Sequence, residues 1–129
     1  MRIVPFRYAN PNPVGRHTND CVIRAIALAT GRTWDDVFKD VADKGLELAD
    51  TMEANSTWGT YLKEIGFTQH IVPSICRNCY TVKDFCMDFP PGDYILATGS
   101  HVLYCNGLDY FDTSDSGDDI ITYYFRKDE

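Results

Sequence analysis

The side chains of this chain that could do chemistry together are a thiol, an imidazole and a carboxylate. Cys21 begins an almost wholly apolar stretch, whereas His101 and Asp112 lie symmetrically about an Asn106-Gly107 pair. Asn-Gly between apolar-rich runs is the strongest local signal for a two-residue hairpin turn. Counting outward from such a turn places His101 directly opposite Asp112 on one face of an antiparallel pair, within hydrogen-bonding reach. This spacing predicts an imidazole held in one tautomer beside a nucleophilic thiol.

Cys21 is the candidate nucleophile because local signals place it in the first turn of a helix. Asn19 or Asp20 is a suitable cap, and Arg24 is the only charged residue in the largely apolar run 21–30. Backbone N–H groups and the helix dipole at this position favour a thiolate. The competing interpretation is a small buried hydrophobic residue, the usual role of an unmodified cysteine. For a nucleophilic Cys21, its own N–H is one oxyanion donor and Asn19 is the candidate second donor.

Other residues could fill the roles of base and orienting acid. His17 lies in a loop flanked by proline and glycine without an evident carboxylate partner, and His70 lies within a predicted strand. We therefore expect His101 to be the base. Asp115 is the reserve orienting acid, because a one-residue slip of the hairpin would turn Asp112 to the other face of the sheet.

The remaining cysteines and the acidic C-terminal third raise the question of a metal. Cys76 and Cys79 have the spacing of a zinc pair, which Cys86 and His70 could complete on paper. No second Cys-x-x-Cys or spaced histidine pair supports that set, so we expect no metal and no cofactor. A group of aspartates lacks the spacing of a calcium loop and is expected to form a solvated rim. Its members are Asp109, Asp112, Asp115, Asp118 and Asp119.

Length, composition and charge narrow the class of protein. The 129 residues suffice for one domain, 1–129, and hydrophobic residues make up 44% of them, as in ordinary globular proteins. A net charge of −7 disfavours binding to nucleic acid, which needs clustered Lys and Arg. No run is apolar for long enough to span a bilayer, and the N-terminal residues lack the pattern of a secretion signal. The odd number of cysteines fits reduced thiols, so we expect a cytoplasmic protein without nucleic-acid or membrane partners.

Local signals predict helices first and a strand meander after them, which is an α+β order. Helices are expected over 21–30, 34–45, 56–66 and 82–88, and strands over 67–72, 94–98, 101–105, 108–112 and 120–125. Gly45 is expected to end the second helix, and residues 46–55 either continue helical or form a surface loop. Thr33 and Thr81 are suitable caps, each followed three residues later by an aspartate. Residues 1–18 are expected to be irregular because prolines and a glycine interrupt them. The expected layout is a central Cys-bearing helix packed on a C-terminal antiparallel sheet.

Three stretches of the chain resemble a known family. NDCVIRAIALATG contains Cys21, TVKDFCMDFPPGDYILATGSHVLYCNG contains His101, and DYFDTSDSGDD contains Asp112. A thiol on a central helix, a histidine leading a strand and an aspartate ending the next resemble the papain-like cysteine peptidase superfamily. More narrowly, the chain resembles a group of small phage and bacterial proteins of that type. One difference is that Gly15 and Arg16 occupy the region where papain-type enzymes have a glutamine oxyanion donor.

The resemblance implies a papain-like fold with a Cys-His-Asp triad that acts without a cofactor. We accordingly expect a cysteine-dependent hydrolase, of peptidase or isopeptidase type, that cleaves a protein or peptide through a thioester. Its expected location is the cytosol of a bacterium or of a phage-infected host. Two alternatives use the same scaffold. One is a catalytically silent binding or inhibitor protein encoded by a phage, and the other is an acyltransferase or transglutaminase-like enzyme.

Overall fold

Six strands form one mixed sheet in the part of the chain that the computed structural model describes, residues 5–72 and 80–128. The strands are β1 Phe6–Tyr8, β2 Phe67–Ile71, β3 Tyr94–Ala97, β4 Val102–Cys105, β5 Tyr110–Asp112 and β6 Tyr123–Lys127. Their order across the sheet is β1-β5-β4-β3-β6-β2. Neighbouring strands are antiparallel except β1 and β5, which are parallel. Together with the helices, this sheet gives the α+β class that the sequence predicts.

The sheet differs from the expected C-terminal antiparallel sheet at its β1 edge. β1 lies within 1–18, which the prolines predict to be irregular, so that prediction is wrong for Phe6–Tyr8. Its three residues pair in parallel with β5, whose residues lie far along the chain. A three-residue strand has too few positions to show an alternating pattern, so only the pairing with β5 defines it.

Four helices lie in the same described ranges. They are α1 Cys21–Thr30, α2 Trp34–Leu48, α3 Asn55–Glu64 and α4 Val82–Asp88. The bounds of α1 and α4 are those predicted, because their start and stop signals lie next to them in the chain. Gly31 ends α1 in the left-handed conformation, and its N–H donates to the Ala27 carbonyl at 2.9 Å. None of the described helices is long and apolar enough to cross a membrane.

The prediction that α2 stops at Gly45 is wrong. The helix continues to Leu48 and ends at Ala49, which adopts a left-handed φ of 55°. Gly45 is buried inside the helix, where a Cβ would lie 2.9 Å from the carbonyl oxygen of Asp50. The glycine therefore permits a close approach of the returning chain, and it does not terminate the helix.

Apolar side chains cover both faces of the central strands. Ile95 and Ala97 of β3 belong to the hydrophobic cluster that includes α1, α2 and α3. Tyr94 and Leu96, which alternate with them, belong to the cluster around α4. The helix that begins at Cys21 therefore packs on one face of the sheet, and α4 packs on the other.

The hairpin of β4 and β5 has a longer loop than the sequence predicts. Cys105 pairs with Tyr110, whereas a two-residue turn would pair it with Leu108. The Asn106 side chain accepts hydrogen bonds from the backbone N–H groups of Leu108 at 2.9 Å and Asp109 at 2.7 Å, which closes a four-residue loop. The register is shifted by two residues. Such a shift leaves every side chain of the strand on its predicted face.

Candidate active site

Three elements bring the candidate catalytic side chains to one end of the sheet. Cys21 is the first residue of α1, His101 immediately precedes β4, and Asp112 is the last residue of β5. Because β4 and β5 are antiparallel, the start of one and the end of the other lie together. β1 holds the far side of β5, since Tyr8 pairs with Asp112 and the Ala9 N–H donates to the Asp112 carbonyl at 3.0 Å.

The imidazole of His101 forms a short hydrogen bond with the carboxylate of Asp112. Nε2 of the ring lies 2.6 Å from Oδ2 of Asp112. A carboxylate only accepts hydrogen bonds, so Nε2 bears the proton and donates it. Nδ1 is then the ring nitrogen available to Cys21, whose thiol is hydrogen-bonded to His101. The predicted direct opposition is wrong, because the observed register puts Asp112 two residues short of the position opposite His101. The contact is therefore a diagonal one.

The surroundings of Cys21 and His101 favour a thiolate and an imidazolium. Hydrogen bonds to Asp112 and then to Cys21 raise the pKa of His101 from 6.5 to about 10, against the opposing effect of burial. Burial raises the pKa of the Cys21 thiol, but hydrogen bonds from His101 and the Val102 backbone lower it. The positive charges of His101 and Arg24 lower it further, and the net pKa lies below the ordinary value of 9.0. At neutral pH the imidazole is protonated and ionisation of the thiol is favoured.

Asp112 is held as a buried, ionised acceptor. It is 4% exposed, and this burial raises the pKa of its carboxyl group. Hydrogen bonds from His101 and from the Ser116 hydroxyl outweigh that effect, so the net pKa is lowered. The Ser116 Oγ lies 2.8 Å from Oδ2, and the Thr113 backbone N–H donates to Oδ1 at 2.8 Å. No local signal indicates a role for Ser116, because only the return of the chain after β5 brings it to Asp112.

Arg24 joins the helix of the thiol to the strand of the acid. Its side chain is buried, with Nε 2.9 Å from Asp20 Oδ1 and Nη1 3.8 Å from Asp112 Oδ1. Nη1 also donates a hydrogen bond to the Thr113 hydroxyl at 2.8 Å. In the sequence, Arg24 is only a charged interruption of an apolar helix. The available signal was its i,i+4 spacing from Asp20, which predicts an ion pair along one helix face.

Asp20 occupies the N-cap position of α1, but its side chain makes no capping hydrogen bond. Its Oδ2 accepts instead from the indole N–H of Trp34 at 2.9 Å and from the Asn12 amide at 3.2 Å. The carboxylate is thus committed to Arg24, Trp34 and Asn12. Its side chain leaves the first N–H groups of α1, including that of Cys21, without a cap, and these groups favour a negative charge at the helix start.

A cavity of about 450 Å³ opens beside the thiol. Cys21 and His101 both line it, and so does Asn19, whose side chain is exposed. The position of Asn19 is compatible with the predicted oxyanion role, which stays a prediction. A substrate bound in this cavity would contact the sulfur and the imidazole together.

The two rival histidines have other neighbours. His17 is exposed, with its Nε2 3.5 Å from the Tyr8 hydroxyl. His70 is also exposed, 2.9 Å from the Thr68 hydroxyl, and it stacks on the ring of Tyr124. The contact between Cys21 and a histidine is therefore made by the histidine that the sequence favoured.

The reserve acid Asp115 also has other partners. It accepts hydrogen bonds from the Tyr110 hydroxyl and from the Gly117 N–H, so the carboxylate that binds His101 is that of Asp112. Of the five aspartates expected to form a solvated rim, Asp112 is wrongly included, because it is buried in the site.

The zinc interpretation cannot be followed at its central pair, because Cys76 and Cys79 lie outside the described residues. Within residues 5–72 and 80–128, no group of three or more His, Cys, Asp or Glu side chains is placed to hold a metal ion. Of the two proposed additional ligands, Cys86 is fully buried in the cluster around α4 and His70 is exposed on β2.

Comparison with known proteins adds no relative: no family model, curated protein or solved structure matches the chain. The chemistry of the site therefore has to be argued from its own geometry. A buried carboxylate holds an imidazole, and that imidazole contacts a thiol at a helix start. This arrangement of orienting acid, base and nucleophile is typical of sites that form a thioester with a carbonyl compound.

Proposed function

We propose that the protein is a cysteine-dependent hydrolase of papain-like type, which cleaves an amide or isopeptide bond in a protein or peptide. The strongest support is that the Asp112 carboxylate holds His101 at 2.6 Å, and that a hydrogen bond and the positive charge of His101 lower the pKa of the Cys21 thiol. The pKa is lowered at the thiol and raised at the imidazole, which supplies a nucleophile and a proton donor at the same pH. The thiol also begins a helix that packs on the sheet presenting the histidine and the acid, as in the superfamily that the sequence resembles.

Acylation starts from the thiolate and the imidazolium. The Cys21 sulfur attacks the carbonyl carbon and forms a C–S bond, while negative charge collects on the carbonyl oxygen. The Cys21 N–H stabilises that oxygen, with Asn19 as the candidate second donor. The C–N bond then breaks, and the leaving amine takes the proton of His101 Nδ1.

Hydrolysis of the thioester completes the cycle. Neutral His101 takes a proton from a water molecule as the water oxygen adds to the thioester carbon. The C–S bond breaks, the carboxylic acid leaves, and the thiolate is restored beside the protonated ring. Asp112 keeps the ring in one tautomer throughout and stabilises its charged form.

Selective alkylation of the thiol tests this proposal. Iodoacetamide at neutral pH, followed by mass spectrometry of peptides, should modify Cys21 at least about tenfold faster than the other four cysteines, because the thiolate is the reactive form. Equal rates at all five positions would refute the proposal.

Burial alone also slows alkylation, so a matched variant is needed. His101→Asn keeps the sequence at Cys21 unchanged and removes the proton acceptor, and it should slow modification of Cys21 while leaving the other cysteines unchanged. Adding a small primary amine to the acylated protein shows whether the acyl group passes to an amine or to water. A transferred amide product would identify acyl transfer, whereas the free acid alone identifies hydrolysis.

A further inference from the structure

We infer that the cavity beside Cys21 selects a neutral, apolar acyl group of aromatic size and disfavours an anionic one. This inference rests on the proposed thioester chemistry, because it concerns the group that becomes attached to the sulfur. Its basis is the lining of the cavity, which is independent of the contacts among Cys21, His101 and Asp112.

The cavity is large enough for an aromatic ring with flanking backbone. Its volume is about 450 Å³, and a dry cavity of roughly 150 Å³ already binds benzene. Five large apolar side chains line it: Trp34, Phe38, Met52, Trp58 and Tyr123. Such lining favours an apolar ligand, because the ligand leaves water without losing hydrogen bonds.

The lining contains two stacked aromatic pairs that differ in how far they are exposed. Trp58 is 1% exposed and stacks on Tyr123, with ring centroids 6.2 Å apart. Phe38 is 42% exposed and stacks on Trp34, with ring centroids 5.1 Å apart. Trp58 is therefore buried against a half-buried Tyr123, whereas Phe38 has a face that a ligand could cover.

The charges around the cavity determine that it favours a neutral ligand over an anionic one. None of the described lining residues is a Lys or Arg, and the two acidic ones are Asp20 and Glu53. Asp20 is neutralised by Arg24, whereas Glu53 is exposed and has no ion pair with another described residue. The positive charge of His101 is matched by Asp112 and the thiolate. A carboxylate on the ligand would therefore meet repulsion from Glu53 without a compensating cation.

The acyl group is the part of the substrate assigned to this lining. The leaving amine takes its proton from His101, so it lies beside that ring. α2, α3 and their connecting loop supply Trp34, Phe38, Met52 and Trp58 to the lining. The group that stays attached to the sulfur is left to contact these apolar side chains.

N-acetyl amino-acid chloromethyl ketones test the inference directly, because the Cys21 thiolate displaces chloride and forms a C–S bond that mass spectrometry detects. The phenylalanine probe should react about 10–100-fold faster than the alanine probe, the gain expected from burying one aromatic side chain. The glutamine probe should react roughly threefold faster than the glutamate probe, because an exposed carboxylate such as Glu53 has a modest effect.

Variants identify the residues responsible, with each rate divided by the iodoacetamide rate of the same variant. Phe38→Ala should reduce the phenylalanine-to-alanine ratio, and Glu53→Gln should remove the preference for glutamine over glutamate. Leu46→Ala is the matched control, since Leu46 is an exposed apolar residue of the same helix that does not line the cavity. It should leave both ratios unchanged.

The labelling rates of the wild-type protein distinguish a failure of the cavity inference from a failure of the proposed function. Equal rates for the phenylalanine and alanine probes, with fast and selective iodoacetamide labelling of Cys21, would overturn the cavity inference and leave the proposed function standing. Equal labelling of all cysteines by iodoacetamide would refute the proposed function itself. A faster reaction of the glutamate probe would overturn the charge argument.

Discussion

The N-termini of α1 and α4 differ in how their first backbone N–H groups are capped. At α4 the Thr81 hydroxyl accepts from the Asp84 N–H at 3.2 Å, and the Asp84 carboxylate accepts from the Thr81 N–H at 3.1 Å. This reciprocal capping box pairs two N–H groups, and the N–H groups of Val82 and Lys83 donate to the carbonyls of Asp119 and Gly117, each at 3.1 Å. At α1 the cap residue Asp20 turns its carboxylate to Arg24 and Trp34 and makes no capping hydrogen bond.

The difference in capping matches a difference in role between the two helix starts. The α4 start serves stability, because the Thr81 side chain and the carbonyls of Gly117 and Asp119 accept hydrogen bonds from its first N–H groups. The α1 start keeps that partial positive charge beside Cys21, and the displaced carboxylate fixes a buried arginine next to Asp112. If this comparison is right, changes at α1 alter thiol reactivity, whereas changes at α4 alter only the free energy of unfolding.

The largest effect is expected from Asp112→Asn. An amide cannot stabilise the imidazolium and favours the wrong ring tautomer, so Cys21 acylation should slow by roughly 10²–10⁴-fold. Release of p-nitrophenolate from an N-acetylphenylalanine ester measures that rate. Asp115→Asn is the matched control, because Asp115 binds Tyr110 instead of His101, and its rate should stay near that of the wild type.

Arg24→Met should cost about 3–5 kcal/mol of unfolding free energy, because it leaves the buried carboxylate of Asp20 without a cation and leaves Asp112 with His101 alone. Urea denaturation measures this cost. Arg32→Met removes a partly exposed arginine that pairs with Asp40 and should cost no more than about 1 kcal/mol. Arg24→Lys should keep more of the thiol reactivity than Arg24→Met, because lysine retains the positive charge but lacks the guanidinium that contacts both Asp20 and Asp112. Equal costs for the two Met variants would show that Arg24 has no special role.

The pH dependence of alkylation should separate the native thiol from an ordinary one. Because the pKa of Cys21 is lowered, the thiolate persists below pH 9.0 and is lost only as the pH falls through the lowered value. The alkylation midpoint of the native protein should therefore lie below that of the protein unfolded in urea. In His101→Asn the midpoint should rise, because burial still raises the pKa while the imidazolium no longer opposes it. A native midpoint equal to the unfolded one would contradict the ion pair.

The smallest effect is expected from Thr81→Ala, which removes the cap of α4. It should lower the unfolding free energy by about 1 kcal/mol, the usual value of a threonine cap. Urea denaturation measures the loss, and iodoacetamide labelling of Cys21 should be unchanged. Slower labelling in this variant would show that the two helix starts are coupled. It would contradict the claim that changes at α4 alter only the free energy of unfolding.

Local signals predicted the parts of the molecule whose partners are near in sequence. The bounds of α1 and α4 followed from adjacent caps and from Gly31, and the Asp36 N–H donates to the predicted Thr33 cap at 3.1 Å. The helix start at Cys21 and the predicted pair of His101 and Asp112 together made Cys21 the candidate nucleophile. The catalytic role of Cys21, His101 and Asp112 remains a prediction that the alkylation and acylation measurements test.

Predictions failed where a distant segment sets the local geometry. Asn106-Gly107 indicated a two-residue turn, but the Asn106 side chain closes a four-residue loop in which a Cβ on Gly107 would lie 2.4 Å from the Pro90 carbonyl oxygen. Gly45 indicated a helix stop, but it admits the backbone of Asp50 instead. In both cases the glycine admits a tertiary contact that the local signal does not indicate.

The sequence by itself determined the reactive residue types, the helix start at Cys21 and the face of the hairpin shared by His101 and Asp112. Only the tertiary structure decided that Arg24 meets Asp112, that the strand at the N-terminal end supports that acid, and that aromatic side chains enclose a cavity beside the thiol. The reason is that helix caps and strand alternation depend on neighbours a few residues away. A buried ion pair or a cavity depends on surfaces that meet after the chain has folded.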